Sequence, residues 1–465
     1  MFSLVFNQRS RPRPRFAASP AFLILSALMF VLWLAGGGSR PDLLGQVVVR
    51  VVTFASLVVA ILIGLKPSLK ATWPVGAILL ATLLLLLVQL VPLPQALWMA
   101  LPGRGDFAFA QGLGGVPQLW RPLAIVPGAT VNAFFSLCVP FVILLLISNI
   151  KENEHLWLMD LLLFLVVGSM ILGIIQFSGA IYNNIFVNDT SGQVSGNFAN
   201  RNHFALFLSI GCMIAPVWAF GGNGGVRRRG PIALGLILLF VLMILASGSR
   251  AGIVTGAMSL LIGSVFVRNG LRRVFSRPPR WIFPALMIGT LAVVMGIVLL
   301  SIVADRANSI DRAVALETTS DMRTRGLPVV LHMISLYFPV GAGAGGFDPL
   351  FRMHEPFSLL KVTYFNHAHN DYLEIALDTG LPGLILLAVA LGWWLITSIR
   401  AWRSHDNKLF QPLGSAVLLL VFVASAFDYP ARTPLMMAVI AVAAIWLTKA
   451  ETALRSALPG GAQQL

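Results

Sequence analysis

The sequence predicts an all-α, polytopic integral membrane protein of about twelve transmembrane helices. Three observations carry this: composition, recurring apolar runs, and where the basic residues fall. Of 465 residues, 57% are hydrophobic and 11% charged, whereas soluble domains carry about 25% charged residues. So few polar groups cannot cover a water-facing surface. Apolar runs recur at about 20 residues, the length that crosses a hydrocarbon core. In lipid, a helix satisfies its backbone within itself, so these runs are predicted to be helical.

The spans are predicted near 19–36, 46–65, 73–91, 129–149, 156–179, 202–220, 231–247, 251–267, 281–303, 381–399, 411–427 and 434–449. The loops test this register. With the N-terminus inside, the inner loops carry Lys66, Lys70, Lys151, Arg227, Arg228, Arg229, Arg268, Arg272, Arg273, Arg277, Arg280, Arg400, Arg403 and Lys408. The alternate loops near 37–45, 181–199 and 428–433 are sparse in Lys and Arg. Basic residues concentrate on the cytoplasmic side of membrane proteins, so both termini are predicted to be cytoplasmic. The net charge of +15 is therefore explained by membrane orientation, and nucleic acid is not an expected partner. Cys138 and Cys212 both lie in apolar segments, which argues against a disulfide framework or a thiolate metal site. Arg9, Arg11, Arg13 and Arg15 precede the first apolar run as in a signal peptide. With many spans downstream, an uncleaved first helix is the better reading.

The expected organisation is a basic tail at 1–18, nine spans in 19–303, a long outer loop at 304–380, three spans in 381–449 and a tail at 450–465. A second outer segment, 92–128, contains Pro92, Pro94, Pro102, Pro117, Pro122 and Pro127 with Trp98 and Trp120. Its prolines rule out a long helix, and its tryptophans suit the headgroup level.

The strongest local signal is His367-Ala368-His369-Asn370-Asp371-Tyr372-Leu373-Glu374, followed by Asp378-Thr379-Gly380-Leu381-Pro382-Gly383. Asp371 and Glu374 have capping-box spacing, with Asp371 as the expected N-cap. A helix of about two turns should end before Gly380, and Pro382 should open the next one. His369 would then sit ahead of a helix N-terminus, whose positive dipole end favours a neutral ring able to accept a proton. The competing reading is a structural histidine at a helix start; His367 and His354 are read as packing or interfacial.

His369-Asn370, the nine residues 371–379, then Gly380 and Gly383 resemble the signature of the O-antigen ligases and related polysaccharide polymerases. Four other stretches resemble the same family: Gly196–His203, Ser249-Arg250-Ala251, Pro339–Phe347 and Asp428–Pro434. The resemblance implies a lipid-linked glycan transferase at the periplasmic face of a bacterial inner membrane, with a large periplasmic loop before the tenth helix. The donor would be an undecaprenyl-diphosphate-linked glycan and the acceptor lipid A core or another glycan. His369, with Asn370, would activate the acceptor hydroxyl.

A departing diphosphate needs stabilisation away from bulk water, and arginine grips phosphate oxygens bidentately. Arg250 and Arg325 are the catalytic candidates. Arg323, Arg201, Asn200, Asn202, Gly343, Gly345 and Arg432 are the substrate-binding candidates. Whether Arg323 or Arg325 matches the family arginine is open, and each arginine could instead meet lipid headgroups. Gly341, Gly343 and Gly346 fit G-x-G-x-x-G, but no strand-turn-helix unit surrounds them and Asp348-Pro349 follows, so a dinucleotide site is rejected. Neither metal nor cofactor is expected. A repeat-unit polymerase is the alternative within the class, and a transporter is the rival outside it.

Overall fold

The computed structural model describes residues 17–67, 69–113, 120–180, 184–188, 192–220, 226–274, 288, 320–360, 365–404 and 409–448. The helices are α1 (Pro20–Ala35), α2 (Leu44–Leu62), α3 (Leu69–Leu90), α4 (Gln95–Met99), α5 (Gly105–Leu113), α6 (Pro127–Ser136), α7 (Cys138–Ile147) and α8 (Glu154–Phe177). They continue as α9 (Arg201–Phe220), α10 (Val226–Ala246), α11 (Arg250–Val274), α12 (Ser320–Tyr337), α13 (Phe347–His354), α14 (Asp371–Arg403), α15 (Phe410–Ser425) and α16 (Pro434–Thr448).

Among the described residues, seven helical stretches are long and apolar enough to cross a membrane: α2, α3, α6 with α7, α8, α9, α10 and α14. Shorter apolar helices occupy α1, the first part of α11, α15 and α16. Each matches a predicted span. The predicted span 281–303 lies, apart from Ile288, outside the described residues. The protein is an all-α integral membrane protein, and the details refine the expectation. The run at 129–149 is two helices meeting at Leu137, and α14 breaks at Gly380, where φ is 59° and ψ −145°.

Local chemistry explains the starts. Ser19 caps α1 by accepting from the Phe22 amide, with Pro20 in the first turn. The centre of the bundle is α9, nearly all of it buried, packed against α8, α10, α11 and α15.

Hydrogen bonds tie the connecting loops to one another at two ends of the bundle. At one end Glu154 accepts from the Ser19 amide (2.6 Å) and hydroxyl (2.7 Å), and Asn149 donates to the Lys66 carbonyl (2.9 Å). At the other, Ala199 N donates to Gly37 O (3.1 Å) and Leu435 N to Gly36 O (3.1 Å).

The Pro-rich segment and the later loop meet at the glycine run, where Ile125 N donates to Ala342 O (2.9 Å) and Thr130 to Ala344 O (3.0 Å). The Pro-rich segment forms a two-residue antiparallel pairing, Pro92–Leu93 with Arg121–Pro122, and two short helices. Buried Arg104 staples it to the glycine run, donating to Pro102 O (3.1 Å), Leu123 O (2.7 Å) and Gly341 O (3.3 Å). The later loop is not structureless: α12 and α13 enclose a second core around Val330, Met333, Tyr337, Phe347, Leu350 and Phe351.

Candidate functional site

The site begins with a short apolar connection. The loop between α15 and α16 carries Asp428, which is 1% exposed. Such a carboxylate survives burial only if donors surround it. Its Oδ2 accepts from Asn200 Nδ2 (2.9 Å) and from Asn202 Nδ2, and faces an Arg323 Nη2 at 3.5 Å. Its Oδ1 accepts from the Tyr429 amide (3.0 Å) and from His369 Nδ1 (3.1 Å), with His203 Nε2 at 3.9 Å. Burial alone would raise the Asp428 carboxyl, but His369, His203 and Arg323 outweigh it and hold the group well below its ordinary range.

An ionised Asp428 fixes the His369 tautomer. Nδ1 must carry the proton it donates, which leaves the lone pair on Nε2. Nε2 makes no hydrogen bond among the described residues, and the side chain is 15% exposed. Burial lowers the His369 pKa from its ordinary value, an effect Asp428 opposes and Arg323 and His367 reinforce. The ring is therefore neutral near neutral pH. A carboxylate-oriented, neutral imidazole with a reachable Nε2 is the arrangement of a general base.

His369 is brought there by the start of α14. Asn370, not Asp371 as expected, is the N-cap: its side chain accepts from Tyr372 N (3.0 Å) and Leu373 N (3.1 Å). Asn370 Nδ2 also donates to Ala426 O (3.0 Å), tying the motif to the end of α15. Asp371 is freed to point inward. Asp371, Glu374 and Asp378 share one face of α14, and Arg432 answers all three at 3.2, 3.1 and 3.2 Å. Burial would lower the Arg432 pKa, but the three carboxylates outweigh it and raise it.

The other predicted residues divide. Arg323 reaches Asp428 and the Phe427 carbonyl (3.3 Å), whereas Arg325 donates to Ser358 O (3.1 Å). The two are separated by two residues, about 200° around a helix, so they serve different surfaces. Ser249 donates to Asn202 Oδ1 (2.6 Å), and exposed Arg250 follows it at the start of α11. Arg201 lies over Gly248, where a Cβ would stand 3.4 Å from its Nη1. Gly343 is buried, at φ 99°, and a Cβ there would meet Ala124 Cβ at 2.5 Å. Gly345 is exposed, and its amide faces Asp378 Oδ2 at 3.3 Å. The glycine run is thus a close-packing turn. Asn200, Asn202, Arg323, His369 and Asn370 converge; Arg432 lies behind them in its own acid cage.

Asp428 lies in one of the stretches that resemble the family but was not among the expected site residues. Its signal was a lone carboxylate ending an apolar run before Tyr429-Pro430. His203, buried beside Asp428 with both ring nitrogens lacking a hydrogen bond, was also passed over.

These features define a polytopic membrane protein with an imidazole–carboxylate pair and arginines at one end of its bundle. Residues 235–388, from within α10 to α14, match the family model described as O-antigen ligase. No curated protein matches the chain.

Proposed function

We propose that this protein transfers a glycan from undecaprenyl diphosphate to a sugar hydroxyl of lipid A core at the periplasmic face of the inner membrane. The observation that carries the reading is the 3.1 Å contact between His369 Nδ1 and Asp428 Oδ1, with Nε2 left open in a chain that matches the O-antigen ligase family model over residues 235–388. Nε2 of His369 takes the proton of the acceptor hydroxyl as that oxygen attacks the anomeric carbon. The bond to the diphosphate breaks, and the leaving oxygens take up negative charge. Arg323 meets that charge beside Asp428, with Arg201 and Arg250 at the starts of α9 and α11 as further candidates, while Arg325 is turned to Ser358. The proposed step needs neither nucleotide nor divalent metal, so transfer should persist in excess chelator.

The test is lipopolysaccharide gel analysis of a deletion strain complemented with wild type or His369→Ala. Loss of capped lipopolysaccharide with accumulation of free lipid-linked polymer, restored only by wild type, supports the reading. Single-repeat caps on lipid A core would instead make the protein a polymerase.

A further inference from the structure

Among the described residues, His369 is the one non-glycine residue at positive φ, 51°. Histidine tolerates this region better than most side chains, but such a conformation persists only where the surroundings over-determine it. The surroundings here converge on one carboxylate. Glu374, fully buried, reaches back one helical turn and holds the two residues just ahead of His369. Its Oε1 accepts from His367 Nδ1 at 2.7 Å and its Oε2 from the Ala368 amide at 2.9 Å. Arg432 Nη1 lies 3.1 Å from the same Oε1. His367 is held at both nitrogens, since Nε2 meets Ser39 Oγ at 3.2 Å, and its ring lies 4.1 Å from that of Tyr429. On the other flank, Asn370 is fixed as the N-cap. The backbone on both sides of His369 is therefore tied down, and Glu374 supplies two of the ties.

We propose that Glu374 is a positioning residue for His369: it clamps the His367-Ala368 backbone so that His369 is held in its left-handed conformation with Nδ1 on Asp428. The groups facing His369 are Asp428, His367 and Arg323, with His203 beyond Asp428. Of these, substituting Glu374 directly touches only His367, whose Nδ1 donates to it; Asp428, Arg323 and His203 make no contact with Glu374. The geometric claim stands apart from the transferase reading, and only its consequence for turnover rests on that reading.

The test is carbethoxylation of full-length protein with diethyl pyrocarbonate, followed at His369 by peptide mass spectrometry across pH. Glu374→Gln should release the loop, raise the His369 modification rate at least about fivefold, and move its midpoint up toward the ordinary value of about 6.5. Asp378→Asn removes another carboxylate from Arg432 but touches no residue of 365–370, and should stay within about twofold of wild type. Glu374→Asp keeps the charge for Arg432 but falls one methylene short of the loop. It should behave like Glu374→Gln, and serves if the glutamine variant does not accumulate. Equal behaviour of the Glu374 and Asp378 variants, or an unchanged His369 rate, overturns the proposal. So does accumulation of neither Glu374 variant, which would assign the residue to folding alone. In the transfer assay kcat should fall at least about tenfold with donor KM within about twofold. A wild type without transfer would sink the transferase reading while leaving the modification comparison to judge the clamp.

Discussion

Asp428→Asn isolates electrostatics from shape, because the amide is nearly isosteric with the carboxylate. Apart from His203 at 3.9 Å, every neighbour described around Asp428 is a donor: Asn200, Asn202, Arg323, the Tyr429 amide and His369. Whichever way the new amide turns, its NH2 faces donors on one side. Pointed at Asn200 and Asn202, it strands them, at a stability cost of about 1–3 kcal/mol. Pointed at His369, it favours the tautomer with Nδ1 accepting and the proton on Nε2, which removes the base. General-base assistance is worth about 10²–10⁴-fold, or about 3–5 kcal/mol of barrier, and the variant should lose most of it. The pH profile gives a second reading. The active form is the neutral ring, so the wild-type rate should rise with pH through a His369 pKa that burial holds below its ordinary value. Asp428 opposes that lowering, so removing its charge should carry the residual rising limb further toward acid. The assay is transfer of lipid-linked glycan by purified, monodisperse protein between about pH 4.5 and 8. A rate within threefold of wild type, or a limb displaced toward alkali, would refute the reasoning.

Arg323→Ala should lower transfer more than Arg325→Ala, because only Arg323 faces Asp428; Arg323→Lys should recover part of the loss, since it keeps charge without the planar fork. The reverse ranking in a transfer assay would move the diphosphate to the Ser358 side. Gly343→Ala should destabilise by about 2–6 kcal/mol, summing strain at positive φ and overpacking against Ala124. Gly64→Ala, also at positive φ but with nothing within 4 Å, should show only the strain; equal shifts in thermal midpoint would disprove the packing account. Alkaline phosphatase fused after Asp348 should be active and after Arg273 silent, and the opposite pattern would invert the proposed topology.

The spans were legible because lipid imposes one simple rule: long apolar runs must be helices. The break at Gly380 was legible too, since Gly380 and Pro382 punctuate the helix locally. Capping was harder. Asn370 and Asp371 are both good N-caps, and the choice fell to Asn370 because Asp371 has Arg432 to answer it from another loop. The His369–Asp428 pair was hidden for the same reason. It joins residues 59 apart in the chain, and periodicity carries no record of which distant loop closes over a motif. Capping-box spacing accounted for Asp371 and Glu374 locally, and nothing near them in the chain pointed to Arg432, the cation that answers them together with Asp378.

The matched stretch ends at residue 388, yet Asp428 and Arg432 come from the turn between α15 and α16. Asn200 and Asn202 come from before its start. The stretch is therefore not a portable module. Grafted onto another membrane scaffold, residues 235–388 would bring the imidazole without its carboxylate and three buried acids without their cation. Exchanges between relatives should succeed only when the crossover keeps the start of α9 and the α15–α16 turn from the same parent as the histidine motif.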